Sequence, residues 1–164
     1  MTASSIIDSN NDEYYMELAL RLSLKAYSLG ETPIGAIIVH NNHIIGKGFN
    51  QVETLKDATA HAEMIALTAA QSTLGDWRLT DCILYVTKEP CPMCAGAISH
   101  TRIKRVVFAL SDPKAGAAGS AMNILQFPTL NHRCDITSKV KEEEARQIIQ
   151  KFFRERRLAK KQQF

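Results

Sequence analysis

Apolar and polar positions follow two different periods along this chain. From Asp12, the run YYMELALRLSLKAYSLG places Tyr15, Leu18, Ala19, Leu22 and Ala26 at steps of three and four, the spacing of one helix face, and Gly30 ends it. Two β-rich runs follow, 34–40 and 43–49, separated by Asn41-Asn42. Asparagine tolerates positive φ, so that pair predicts a hairpin turn. Residues 60–71 are alanine-rich and read as helix, 82–87 (CILYVT) as strand, and 92–100 as helix again. A further strand is expected at 105–110 and a weak one at 134–137. Residues 139–160 form a long helix carrying Val140, Ile148, Ile149, Phe152 and Phe153. This alternation predicts one α/β layer domain, its sheet covered by helices. Residues 1–11 are polar and expected to be disordered, which leaves 12–164 as the single domain.

Composition narrows the class. A length of 164 residues fits one domain. An apolar fraction of 45% and a charged fraction of 23% are those of an ordinary globular chain, not of a disordered, collagen-like or disulfide-stapled one. Apolar runs such as 34–39 fall far short of the ~18 residues of a membrane span. The opening MTASS offers neither a basic n-region nor an apolar h-region, so a cytoplasmic protein without membrane attachment is expected.

Net charge is +3, but it is unevenly placed. Residues 1–150 sum to −2, whereas residues 151–164 hold six basic side chains against Glu155 alone, a net of +5. A basic terminal helix is either the footprint of a polyanion or a solvated face, and charge alone does not choose. The four cysteines stand at 82, 91, 94 and 134. In a reducing compartment, the C-x-x-C formed by two of them indicates metal or redox chemistry rather than a disulfide framework.

Two segments carry the chemistry: His61-Ala62-Glu63 and Pro90-Cys91-Pro92-Met93-Cys94. Each lies at a predicted helix start. Pro92 suits the first helical position, which puts Cys91 at the cap, where free N–H groups and the helix dipole favour a thiolate. Cys94 follows three residues on, and His61 completes an S, S, N set. Three protein ligands with a fourth place left for water describe a catalytic zinc, whereas a structural zinc is closed by four. Glu63, two residues from a ligand, can reach that water without ligating the metal and can carry its proton. Both residues can serve one site if the metal lies end-on to the helix. H-x-E…P-C-x-x-C is the known signature of the zinc nucleobase deaminases. Two rival readings explain less. A thioredoxin-like redox motif wants the strand leading into C-P-x-C but leaves His61 and Glu63 without a task. A structural zinc in an RNA-binding module lacks its fourth ligand.

Further stretches extend the match: PIGAIIV (33–39), GFN (48–50), DATAHAEMIAL (57–67), LYVTKEPCPMCAGAI (84–98), RVVF (105–108), DPKAGAAGS (112–120), LNHR (130–133) and FFRERR (152–157). In that order they closely resemble the bacterial tRNA-specific adenosine deaminases of the cytidine/deoxycytidylate deaminase superfamily, over about residues 14–158. GAAGS, the NH pair and FFRERR point to the tRNA branch. The resemblance implies a cytidine-deaminase-like three-layer α/β/α fold with a mixed sheet of about five strands. It implies one Zn2+ per subunit on His61, Cys91 and Cys94, with Glu63 as catalytic proton shuttle. Asn50 and the Ala62 backbone would bind the flipped base. Asp112, Lys114, Phe152, Phe153, Arg154, Arg156 and Arg157 would contact RNA, with a homodimer completing that surface. Two positions depart from the family pattern: Ser111 stands where arginine is frequent, and Val52 where proline is.

The expected reaction is hydrolysis of adenosine to inosine at the wobble position of a tRNA anticodon stem-loop. The alternative is a zinc deaminase of a free base or nucleotide, of guanine or cytosine type, which has no use for a basic tail. Cys82 and Cys134 read as small core residues, and His100 and His132 as local hydrogen-bonding groups. One of Phe152 and Phe153 is expected to pack and the other to stack, with nothing in the sequence to say which. Trp77 is unassigned.

Overall fold

The computed structural model describes residues 9–163. Its elements are α1 (Ser9–Ser28), β1 (Gly35–His40), β2 (His43–Phe49), α2 (Val52–Leu55), α3 (Ala62–Leu74), β3 (Cys82–Lys88), α4 (Pro92–His100), β4 (Arg105–Leu110), β5 (Asp135–Thr137) and α5 (Glu142–Lys161). The expected disorder of residues 1–11 lies outside the described residues up to residue 8, and α1 already begins at Ser9.

The five strands form one mixed sheet in the order β2-β1-β3-β4-β5. β1 runs antiparallel to both β2 and β3, while β3, β4 and β5 are parallel. Side chains on the central strands alternate between two cores, as period-two geometry requires. Ala36, Ile38, Leu84, Val86, Val106 and Phe108 face α3 and α4. Ile37, Val39, Tyr85, Val107 and Ala109 face α1 and α5. Both faces are covered, which gives the three-layer α/β/α arrangement and explains why these strands are apolar runs.

The β1–β2 turn holds Asn41 at φ 49° and Asn42 at φ 61°, the left-handed pair that a two-residue hairpin needs. The buried stripe of α1 is Tyr15, Met16, Ala19 and Leu20, with Leu18 and Leu22 at its margin. Asp12 anchors this helix to the sheet. Its carboxylate accepts from Arg105 Nη2 at 2.7 Å and from the Tyr85 hydroxyl at 2.8 Å.

One close approach matters for the site. Gly46 and Gly48 of β2 face the alanine side of α3, and a Cβ at either would collide with the carbonyl oxygen of Ala66 or Ala62. The helix therefore lies directly on the strand, and its first turn is fixed beside the end of β2. That brings His61 next to Asn50.

Candidate active site

His61 caps α3 and Cys91 caps α4, both in extended backbone conformation, with Pro92 in the first turn. The two helix starts converge end-on. His61 Nδ1 lies 3.4 Å from Cys94 Sγ and 3.6 Å from Cys91 Sγ. All three donor atoms fall within 4.8 Å of one another, a group able to hold a metal ion. Zn–S and Zn–N bonds of usual length at tetrahedral angles would separate nitrogen from sulfur by about 3.5 Å. The two measured distances match that edge, so the residues fit such an ion.

Electrostatics favour one thiolate within this group. Cys91 is lowered to about 4, first by the hydrogen bond from the Cys94 thiol, with His61 adding to it. Cys94 is raised by the same bond and by burial. His61 is raised, chiefly by its bond to Cys91. Metal binding would draw off the remaining thiol proton, because the ligand is the thiolate.

Glu63 sits in the first turn of α3 at 4% exposure. Burial raises its pKa, since a carboxylate out of water is costly. A carboxyl held ready to take and release a proton is what acid–base work requires.

A cavity of about 240 Å³ opens beside the cluster, lined by Gly30, Thr32, Ile34, Asn50, Val52, Glu53, His61, Ala62 and Arg156. Asn50 is 7% exposed, and its Oδ1 has no hydrogen-bond partner among the described residues. Its backbone is fixed by the bond from its N–H to Ile34 O at 3.1 Å. A buried acceptor without a donor costs free energy unless a ligand supplies one.

The structure sorts the expected RNA contacts. Phe152 is buried and packs edge-on to Tyr27, whereas Phe153 is 40% exposed. Of the two, Phe152 is the one that packs. Arg156 bonds to Gly30 O and lines the cavity. Arg154 and Arg157 instead share a separate groove with Ile149, Gln150 and Phe153. Lys114 is exposed, and Asp112 is half-buried with its carboxylate 3.3 Å from Lys88 Nζ. Cys82 and Cys134 are buried, and His132 bonds to Ile103 O, as expected of local residues.

Three features escaped the sequence. The short helix α2 forms a cavity wall through Val52 and Glu53. Glu31, fully buried, accepts from the N–H groups of Glu53 and Thr54 and so holds α2 in place. Glu89, also buried, binds the loop that follows β4. A buried carboxylate bonded to distant backbone leaves no periodic trace in a sequence.

Sheet order, paired helix starts and the His61, Cys91 and Cys94 group define a deaminase of the cytidine-deaminase-like class. A model of the MafB19-like deaminase family matches residues 10–157. The tRNA-specific adenosine deaminase of Bacillus subtilis is 47% identical over 150 residues, spanning 92% of this chain and 93% of that one. A solved structure from work on A-to-I editing by tRNA:A34 deaminases at the wobble position of transfer RNA superposes with a TM-score of 0.79. It is 41% identical and covers 82% of this chain and 98% of that chain. A guanine deaminase from Bacillus subtilis aligns with a TM-score of 0.60 at 37% identity, covering 75% of this chain and 82% of that chain. The chain belongs to the deaminase family, with the tRNA-specific adenosine deaminases.

Proposed function

We propose that this enzyme deaminates adenosine to inosine at the wobble position of a tRNA anticodon stem-loop. The carrying observation is the 240 Å³ cavity, lined by both His61 and Asn50, whose Oδ1 has no hydrogen-bond partner among the described residues, a space sized for a single extruded base. Enzymes acting on a base in a polymer take it out of the stack and read its polar edge in such a pocket. Close tRNA-specific relatives support the polymer, and so does α5, whose exposed Phe153, Arg154 and Arg157 offer stacking and phosphate contacts.

In this reading His61, Cys91 and Cys94 hold one zinc per subunit. Zinc, when bound, would supply the Lewis acidity that lowers the pKa of a water toward ~7. Glu63 takes a proton from the water that adds to C6 and gives it to N1. It then takes the proton of the new C6 hydroxyl, as that oxygen becomes the carbonyl, and gives it to the departing amine, so that the C6–N bond breaks and ammonia leaves. Asn50 and the Ala62 backbone hold the base edge during these transfers. Asp112, Lys114, Phe153, Arg154 and Arg157 bind the flanking RNA.

We assign a homodimer as the working form. The half-exposed Phe127 and Leu130 support it, together with a hollow of about 330 Å³ that Leu130 shares with His100 and Arg102. Among the described residues no helix is long and apolar enough to cross a membrane. An enzyme of tRNA works where tRNA is, so the proposal carries a cytoplasmic location.

The experiment is incubation with total tRNA followed by sequencing for wobble inosine, run beside free adenine, guanine and cytosine. Inosine at the wobble position supports the reading. Turnover of a free base with untouched tRNA replaces it with the guanine- or cytosine-type alternative.

A further inference from the structure

Glu89 immediately precedes Pro90-Cys91, is 3% exposed, and takes no part in the ligand trio. Its carboxylate gathers donors from one loop. Oε1 accepts from Asp112 N at 3.2 Å and from the Ser120 hydroxyl. Oε2 accepts from Ala118 N at 3.0 Å and Ser120 N at 3.2 Å. The neighbouring Pro90 carbonyl accepts from Ala117 N at 2.8 Å. Within the same loop, Gly116 leaves room that a Cβ would take from the Glu89 carboxylate and the Asp112 carbonyl. Among the described residues no lysine or arginine bonds to Glu89; backbone N–H groups and one hydroxyl satisfy it.

A buried carboxylate is an expensive way to gain stability, because desolvation offsets most of what its bonds return. What it supplies is geometry: several donors converging on one rigid acceptor fix a loop in a single position. Here the fixed loop is residues 112–120, and the fixing residue lies two positions from Cys91. Asp112 and Lys114 are therefore held at a set distance from the helix cap that carries a metal ligand.

We propose that Glu89 is a positioning residue for the reaction on tRNA. It registers the RNA-facing 112–120 loop against the Cys91 turn, so that a strand bound by the loop delivers its base to the cavity. This rests on the tRNA reading above. Glu89 touches neither base nor metal, and it acts through the loop.

The test compares the wild type with E89Q and G116A. Glutamine offers one acceptor oxygen and turns an NH2 toward N–H donors, so it keeps at most half the carboxylate's bonds. In G116A the added methyl displaces the loop while Glu89 stays intact. Both variants should lose about tenfold in amide hydrogen-exchange protection at Ala118 and Ser120, the scale of losing one or two such bonds. Both should raise KM for tRNA by about tenfold, while kcat stays within about threefold and metal content matches wild type. A purely structural role would lower the melting temperature without moving KM at permissive temperature. If E89Q does not fold, G116A and S120A carry the same measurements. Wild-type exchange and wild-type KM in the variants would overturn the proposal, as would loss of metal with KM unchanged. Exchange is read on the substrate-free chain, which separates the two claims. A wild type inactive on tRNA sinks the substrate reading, and an Ala118 amide still protected in E89Q sinks this one.

Discussion

The Arg156 guanidinium donates to the carbonyl oxygen of Gly30 and lies over the Phe152 ring, 4.8 Å from its centre. The C-terminal helix is thereby bolted to the rim of the cavity that contains Asn50 and His61. Arg154 and Arg157 sit on another side of the same helix, beside Phe153. Three arginines that look equivalent in FFRERR thus divide into one that shapes the cavity and two that face outward.

That division predicts different salt behaviour. Each phosphate contact on single-stranded nucleic acid contributes about 0.7 to the log–log salt slope. R154A/R157A should flatten the slope of tRNA binding by about 1.4, and R156A should leave it near wild type while lowering kcat/KM. Binding titrations across a salt series check this. A slope that responds equally to all three positions would return Arg156 to the phosphate contacts.

Metal removal should expose one cysteine selectively. Cys91 is half-exposed and lowered to about 4, so in the metal-free chain it is a thiolate at neutral pH. Burial raises Cys82 to about 11 and Cys134 to about 12, which keeps both as inert thiols. After chelation, a thiol reagent at pH 7 should label Cys91 first, and restoring zinc should suppress the labelling. The sign fixes the window: reactivity of Cys91 persists well below pH 7, while Cys82 and Cys134 stay silent until far above it. Early labelling of Cys134 would contradict the assignment.

Much of this was legible because it is local. The hairpin turn at Asn41-Asn42, the apolar runs of β3 and β4, and α4 with its proline start all follow from short-range rules, and β3, α4 and β4 begin at residues 82, 92 and 105, where the sequence places them. That His61, Cys91 and Cys94 would meet as a group able to hold a metal ion was legible from residue types at helix starts. What escaped is held by contacts distant in sequence. α2 depends on Glu31, more than twenty residues before the amides it binds, and the loop after β4 depends on Glu89 in the same way. Phe152 and Phe153 are adjacent in sequence, and the residues that cover Phe152 are Tyr27 on α1, distant in sequence, and Arg156.

Glu63 provides the sharpest separation of metal from chemistry. Its side chain lies outside the ligand trio, so E63A should keep the metal content and the fold. Turnover should fall by about 10²–10⁴, the usual loss on removing one acid–base group. Elemental analysis and single-turnover rates check both halves. Near wild-type turnover would show that another group moves the proton.

Asn50 distinguishes a substrate contact from a turn residue, because the two roles predict opposite costs. Were its amide a structural cap, truncation would break bonds within the protein and lower the melting temperature. Its Oδ1 is buried, however, and accepts no bond among the described residues. N50A should therefore leave melting unchanged or slightly raised, since it removes an unsatisfied polar atom. The loss should appear only with substrate, when the base edge that Asn50 would pair is left without a partner. A cost of about 1–3 kcal/mol is expected for such an unpaired group, or roughly 5- to 150-fold in kcat/KM. N50D retains the acceptor while giving up the amide donors, so it reports which half of the amide the base uses. If N50D recovers most of the lost rate, the acceptor carries the contact. A lowered melting temperature with unchanged single-turnover rate in N50A would make Asn50 a turn residue after all.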